Sequence, residues 1–183
     1  MIKNLLLGAL IVVTCGCGED NKYTPVNPPP NYAFYECICD QESIGRSKYH
    51  LFDKEGYDAY WIVIGSGGCP ACKSETEYMV YVWNKWMAHS NVFVTDVLIS
   101  DDNWNSNINT LSSFCCEYKK DYGIDFMMSI DPGGISSTDS YNFIPYNLIL
   151  DKNFEIVYEQ EGFTGGEAGV IKVLLQSLED SSK

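Results

Sequence analysis

Cys69-Pro70-Ala71-Cys72 is the part of this 183-residue chain whose residue types and spacing most directly imply chemistry. A thiolate is the attacking species in thiol–disulfide exchange, so such a pair works when its first cysteine has a depressed pKa and reaches solvent. The flanking sequence offers a reason for both. Residues 60–64 are a continuous β-branched and aromatic run, read as a buried central strand, and they end in Gly65-Ser66-Gly67-Gly68. Beyond the glycines, Met79, Val82, Trp83 and Trp86 recur at three- and four-residue spacing, which predicts a helix over residues 70–88 with that face inward. Pro70 suits its first turn. Cys69 then stands at a helix start, where unsatisfied N–H groups and the positive end of the dipole favour negative charge. Cys72, within the first turn, faces it as the more shielded, resolving thiol. A static disulfide and half of a zinc site are the competing readings of the same spacing. Glu75, at i+3 from Cys72, shares its helix face and could exchange a proton with it; otherwise it is one more solvated acid in an acidic chain.

The elements that must position this pair alternate along the chain. Short strands are expected over residues 33–39 and 49–52. Residues 91–99 alternate Val92, Val94, Val97 and Ile99 as a second central strand, parallel to the first because a helix lies between them. Ile108, Leu111, Cys115, Tyr118 and Tyr122 mark one face of a second helix, followed by a short strand over residues 126–130. Residues 146–150 and 155–158 read as a hairpin across Asp151-Lys152-Asn153. A closing helix over residues 166–178 turns Ile171, Leu174, Leu175 and Leu178 inward. This order predicts an α/β domain, a central mixed β-sheet flanked by helices.

The amino terminus reads as an address. Lys3 precedes an apolar run too short to span a bilayer, so residues 1–16 are expected to be an export signal. Thr14-Cys15-Gly16-Cys17 resembles the bacterial lipobox, with Cys17 as the lipidated residue and Cys15 as the alternative. Residues 17–32, with Pro25 and Pro28-Pro29-Pro30, read as a tether that buries nothing, and residues 33–183 as the folded domain. The expected location is the bacterial cell envelope, lipid-anchored and facing the periplasm or exterior. The net charge is −13, and 11 basic against 25 acidic residues leave −14 once Lys3 is removed. Phosphates are repelled by such a surface, so nucleic acid is not an expected partner.

Export also changes how the other cysteines are read, because thiols tend to pair in an oxidising compartment. Cys37 and Cys39, at i and i+2 of a strand, point to one face and are poorly placed to bridge each other. A cross-bridge from one of them to Cys115 or Cys116 is the leading expectation; a second redox relay or a soft-metal site are the others. Neither His50 nor His89 is read as a ligand, and no metal or cofactor is expected.

The order strand, Cys-x-x-Cys, helix, strand, helix, strand, Ile144-Pro145, hairpin, helix is similar to the thioredoxin superfamily over residues 33–178. The interval between the redox pair and Pro145 has room for the added strand–helix unit of the TlpA/ResA-like (redoxin) branch, many of whose members are exported and membrane-tethered. The resemblance implies a thioredoxin-like fold and a membrane-anchored thiol-disulfide oxidoreductase, a reductase in preference to an oxidant. Its partners would be protein thiols and disulfides and an upstream electron donor. It also makes Pro145 a cis-proline beside the redox pair, with the Ile144 backbone binding an extended substrate, and gives Glu75 the place of the acid that follows Cys-x-x-Cys. Two departures stand out. Gly68 replaces the aromatic that often precedes the first cysteine, in a loop expected to be mobile, and Val63 stands at the depth where thioredoxin keeps a buried acid. A thioredoxin-fold binding module and a thiol peroxidase are the alternatives, although Gly65-Ser66-Gly67-Gly68 lacks the Pro and Thr or Ser of the peroxidatic pattern. A copper carrier of this fold would need wider cysteine spacing and a downstream histidine.

Overall fold

The computed structural model describes residues 30–39, 44–137, 141–163 and 167–181. The expected signal, the lipidation site at Cys17 or Cys15, and the tether up to residue 29 lie outside the described residues. Tyr32, at the end of the expected tether, is buried: its ring stacks on Phe34 at 5.6 Å and its carbonyl accepts from the Leu51 N–H.

Seven strands form one mixed sheet: β1 (Ala33–Cys39), β2 (Ile44–His50), β3 (Ala59–Gly65), β4 (Val92–Leu98), β5 (Met127–Ile130), β6 (Tyr146–Asp151) and β7 (Ile156–Glu161). The order across it is β2-β1-β5-β4-β3-β6-β7. β3, β4 and β5 run parallel, while β1 and β6 flank them antiparallel. All seven residues of β3 and all seven of β4 are buried, as the unbroken apolar runs require of strands covered on both faces.

The helices are α1 (Pro70–Val82), α2 (Ile108–Asp121) and α3 (Glu167–Ser181). Met79 and Val82 of α1, Leu111 and Cys115 of α2, and Val170 and Leu174 of α3 join one core cluster with Trp61, Val63, Val94 and Met128 of the sheet. The opposite face carries an aromatic cluster in which Phe34, Tyr49, Tyr60 and Phe93 pack with Tyr57 and Phe154. Among the described residues, the interval between α1 and Pro145 holds a π-turn at Trp83–Met87, β4, α2, β5 and a 3-10 turn at Pro132–Gly134.

Three expectations are corrected. The strand expected over residues 49–52 is Ile44–His50, followed by a 3-10 turn at Leu51–Asp53. β2 is an edge strand whose Arg46, Ser47 and Lys48 are exposed, so it carries no apolar alternation and forms by pairing along the whole of β1. The first helix does not stay α-helical to residue 88. After Val82 it widens into a π-turn at Trp83–Met87, closed by Ala88 N–H to the Trp83 carbonyl at 2.9 Å. The extra residue in that turn advances the buried face by one position, so Met87 is fully buried and Trp86, expected inward, is 45% exposed. In α3 the inward row is Val170, Leu174 and Ser177, and Leu175 turns outward.

Candidate active site

The C-terminal edge of the parallel strands is where chains leaving the sheet expose backbone donors, and the cysteine pair stands there. β3 ends at Gly65, and the next turn is held by Cys69 N–H to the Ser66 carbonyl (3.1 Å) and Gly68 N–H to Ser66 Oγ (3.2 Å). Ser66 Oγ is tied in turn to Ser100 Oγ at 2.6 Å. Cys69 caps α1: its backbone is extended, and its Sγ accepts the Cys72 N–H at 3.2 Å. A sulfur in that place receives one of the orphan donors of the first turn, an interaction that grows stronger when the sulfur is a thiolate. Neither Cys69 nor Cys72 is bridged.

Both are more enclosed than a solvent-facing pair. Cys69 is 8% exposed and Cys72 4%. Burial, then the hydrogen bond with Cys69, push the Cys72 thiol well above its ordinary range; a Ser66 backbone N–H offsets part of the rise. Cys72 therefore holds its proton until a base takes it. Gly65 leaves the space Cys72 occupies, since a Cβ on it would lie 3.1 Å from the Cys72 Cβ.

Beneath the pair lies a buried acid, Asp96, although β3 itself carries Val63 at that depth. Val63 is paired across the parallel ladder with Asp96 of β4, so the carboxyl is supplied at the same depth by the neighbouring strand. The Thr76 hydroxyl lies 2.6 Å from Asp96 Oδ2 and 3.1 Å from the Cys72 carbonyl, to either of which it can donate, and it shares a hydrogen bond with the Tyr118 hydroxyl at 3.0 Å. Burial pushes the Asp96 carboxyl up to about 7; the Thr76 hydrogen bond opposes the rise and the nearby Glu75 charge adds to it. Glu75 is itself fully buried on α1, so the reading of it as a solvated acid is excluded. Tyr118, at the outer end of this chain, lines a cavity of about 300 Å³ together with Lys73, Phe114 and Asp121. A signal for Asp96 was present: Val92, Val94 and Leu98 share its strand face, and a lone carboxylate among them is out of pattern. Thr76 sits at i+4 from Cys72, on the same helix face.

The glycine-rich loop is tightly packed. A Cβ on Gly68 would fall 2.7 Å from Nε1 of Trp104, whose indole lies over the backbone just before Cys69. Trp104 reaches there from the loop after β4 with φ of 60°, a conformation non-glycine residues seldom adopt. The Asp101 carboxylate organises that loop, accepting the N–H groups of Asn103 and Asn105 at 2.8 Å each. An aromatic ring thus covers the position before the first cysteine, brought from a different part of the chain.

Across the site, the Ile144–Pro145 peptide is cis. Ile64 pairs with Tyr146, so one step further along the antiparallel ladder Pro145 comes beside Gly65, the residue on which Cys72 packs. Ile144 lies just outside the ladder and is half-buried. Trp104, Ile135 and Phe143 are exposed on loops at this same edge, following β4, following β5 and preceding β6. The remaining expected site residues are elsewhere: Cys37 bridges Cys115, and Cys39 bridges Cys116, joining β1 to α2. Among the described residues no group of histidine, cysteine and carboxylate side chains could hold a metal ion.

No protein-family model matches the chain, and no curated protein matches it in sequence. Solved structures match it in fold. An uncharacterised thioredoxin-like protein from Porphyromonas gingivalis superposes with a TM-score of 0.62 at 19% identity, over 82% of this chain and 92% of the other. A Chlorobium tepidum protein, described provisionally as a thiol:disulfide interchange protein DsbE, gives 0.61 at 15% identity over 85% and 99%. A Bacteroides thetaiotaomicron protein, described provisionally as a protein disulfide isomerase, gives 0.60 at 15% over 83% and 89%. The fold is thioredoxin-like, the α/β class with a mixed sheet flanked by helices.

Proposed function

We propose that this protein is an extracytoplasmic, membrane-anchored thiol-disulfide oxidoreductase, acting chiefly as a reductase through Cys69 and Cys72. The observation that carries the reading is Cys69 Sγ at the N-cap of α1, accepting the Cys72 N–H at 3.2 Å, with the titratable carboxyl of Asp96 buried close by. The Cys69 thiolate attacks one sulfur of a substrate disulfide; that S–S bond breaks and its second sulfur leaves as a thiolate, which takes a proton. Cys72 then gives its proton to the Asp96 carboxylate and attacks Sγ of Cys69, with Glu75 buried on the same helix face. The mixed disulfide breaks, the reduced substrate leaves, and the Cys69–Cys72 disulfide carries the two electrons' worth of oxidation. An upstream dithiol restores the pair. The chain from Asp96 through Thr76 to Tyr118 and its cavity offers the proton a route outward.

The apolar rim of Trp104, Ile135 and Phe143 favours polypeptide disulfides over small ones, with Ile144 and Pro145 aligning the extended chain. Two cross-bridges elsewhere in the domain suit an oxidising compartment, and the lipobox-like Cys17 suits attachment to the envelope through residues 17–32. Among the described residues no helix is long and apolar enough to cross a membrane. The test is disulfide reduction of insulin by wild type and Cys69→Ser, with Cys72→Ser used to trap the mixed disulfide. Full activity retained in Cys69→Ser would sink the assignment.

A further inference from the structure

The two bridges join the same two elements at different depths. Cys37 and Cys115 are 6% and 0% exposed, whereas Cys39 is exposed and Cys116 half-buried. Their sequence separations are 78 and 77 residues, so they close nearly the same loop. Once the inner bridge is made, the outer one removes little further freedom from the unfolded chain. It is spare as a staple and accessible as a reagent.

Its surroundings point to a reaction partner. Cys39 and Cys116 line a cavity of about 440 Å³ with Lys119, Lys120, Gly123, Ile124 and Asp125. Lys119 and Lys120 follow Cys116 at i+3 and i+4, on the same face of α2. Lys119 Nζ is anchored on the Phe126 carbonyl at 3.2 Å. Among the described residues that line this spot, two ammonium groups stand against the single carboxylate of Asp125. The spot lies at the opposite end of the sheet from Cys69: β1 runs antiparallel to β5, so its last residue stands where β3, β4 and β5 begin.

We propose that Cys39–Cys116 is a second thiol-exchange site, separate from Cys69 and Cys72, that accepts small anionic thiols. The incoming thiolate attacks Sγ of Cys39, the more exposed sulfur. A new S–S bond forms to Cys39 as the Cys39–Cys116 bond breaks, and the electron pair leaves on Cys116 as a thiolate held by Lys119 and Lys120. No oxidant is consumed, and return attack by Cys116 expels the small thiol. The inner bridge keeps β1 and α2 joined throughout.

The test uses the full chain carrying Cys69→Ser and Cys72→Ser, which removes the first pair, incubated anaerobically with glutathione or with cationic cysteamine at matched thiolate concentration. Peptide mapping is expected to find glutathione on Cys39 while Cys37–Cys115 stays bridged. Glutathione should react about fivefold or more faster than cysteamine at low salt, an advantage that shrinks as salt rises. Lys119→Gln with Lys120→Gln should erase it. No adduct, an adduct appearing first on the inner pair or on Cys116, or equal rates for the two thiols in the parent chain would overturn the proposal. None of these readings depends on whether Cys69 and Cys72 reduce proteins.

Discussion

The two ends of the sheet hold the same residue type in opposite conditions. At the C-terminal edge of β3, Cys69 and Cys72 sit in the first turn of a helix, three residues apart and unbridged. At the other end, four cysteines are locked between a strand and the middle of α2. The first pair is surrounded by what moves charge: a helix N-terminus, a buried carboxyl near neutrality and a hydroxyl chain toward a cavity. Of the second set, the inner bridge belongs to the apolar core cluster, and the outer is lined, among the described residues, by Lys119, Lys120 and the exposed Asp125. Reactivity here follows from the donors and charges around a sulfur.

The comparison breaks most sharply at Cys69. Cys69→Ser should lower insulin reduction at least about a hundredfold, since no other described thiol caps a helix, while both cross-bridges remain intact by mass mapping. Next in size is the inner staple. Cys37→Ala with Cys115→Ala should cost about 2 kcal/mol in urea unfolding, from the lost packing of two buried sulfurs, because the outer bridge still closes nearly the same loop; Cys39→Ala with Cys116→Ala should cost less than half of that, and only removal of all four should cost the about 4 kcal/mol of opening a loop of this length. Equal losses would mean that the bridges do not share the work as their depths imply.

Asp96 gives the pH signature. Its folded value of about 7 lies above the ordinary 3.8, so the folded chain holds this proton more tightly. The associated stability is fully present below about pH 4 and is lost as pH rises through about 7. Asp96→Asn, which keeps a carbonyl for Thr76, should flatten that fall and be more stable than wild type at pH 8 by about 2–4 kcal/mol. It should also slow resolution of the mixed disulfide in the chain that keeps Cys72; a variant with the wild-type pH profile of stability would remove Asp96 from the scheme. The smallest effect is expected at the rim. Trp104→Ala should raise KM for insulin about threefold to tenfold and leave reduction of a small disulfide unchanged, with Trp104→Phe in between. A uniform loss on both substrates would assign Trp104 to loop packing alone.

Much of this was legible from residue order. The buried run ending in glycines, the pair at a helix start and the apolar face of α2 depend on local periodicity, and the strands and helices they predict are present within a few residues. The misses have a common cause. β2 is an edge strand formed by pairing, Trp86 is turned outward because a π-turn shifts the phase, and the buried acid is Asp96 of β4, brought level with Val63 of β3 by the register of two strands. Each depends on a neighbour distant in sequence.

The amino-acid sequence alone determined that Cys69 would meet a helix N-terminus and that Cys72 and Glu75 would share a face, because helical spacing is a local property of the backbone. Only the tertiary structure decided what surrounds them. The parallel register of β3 and β4 sets Asp96 beside Val63, packing on Gly68 brings Trp104 over the loop, and the approach of α2 to β1 chooses which cysteines bridge. Those are contacts between segments tens of residues apart, fixed by packing and register, which no local pattern encodes.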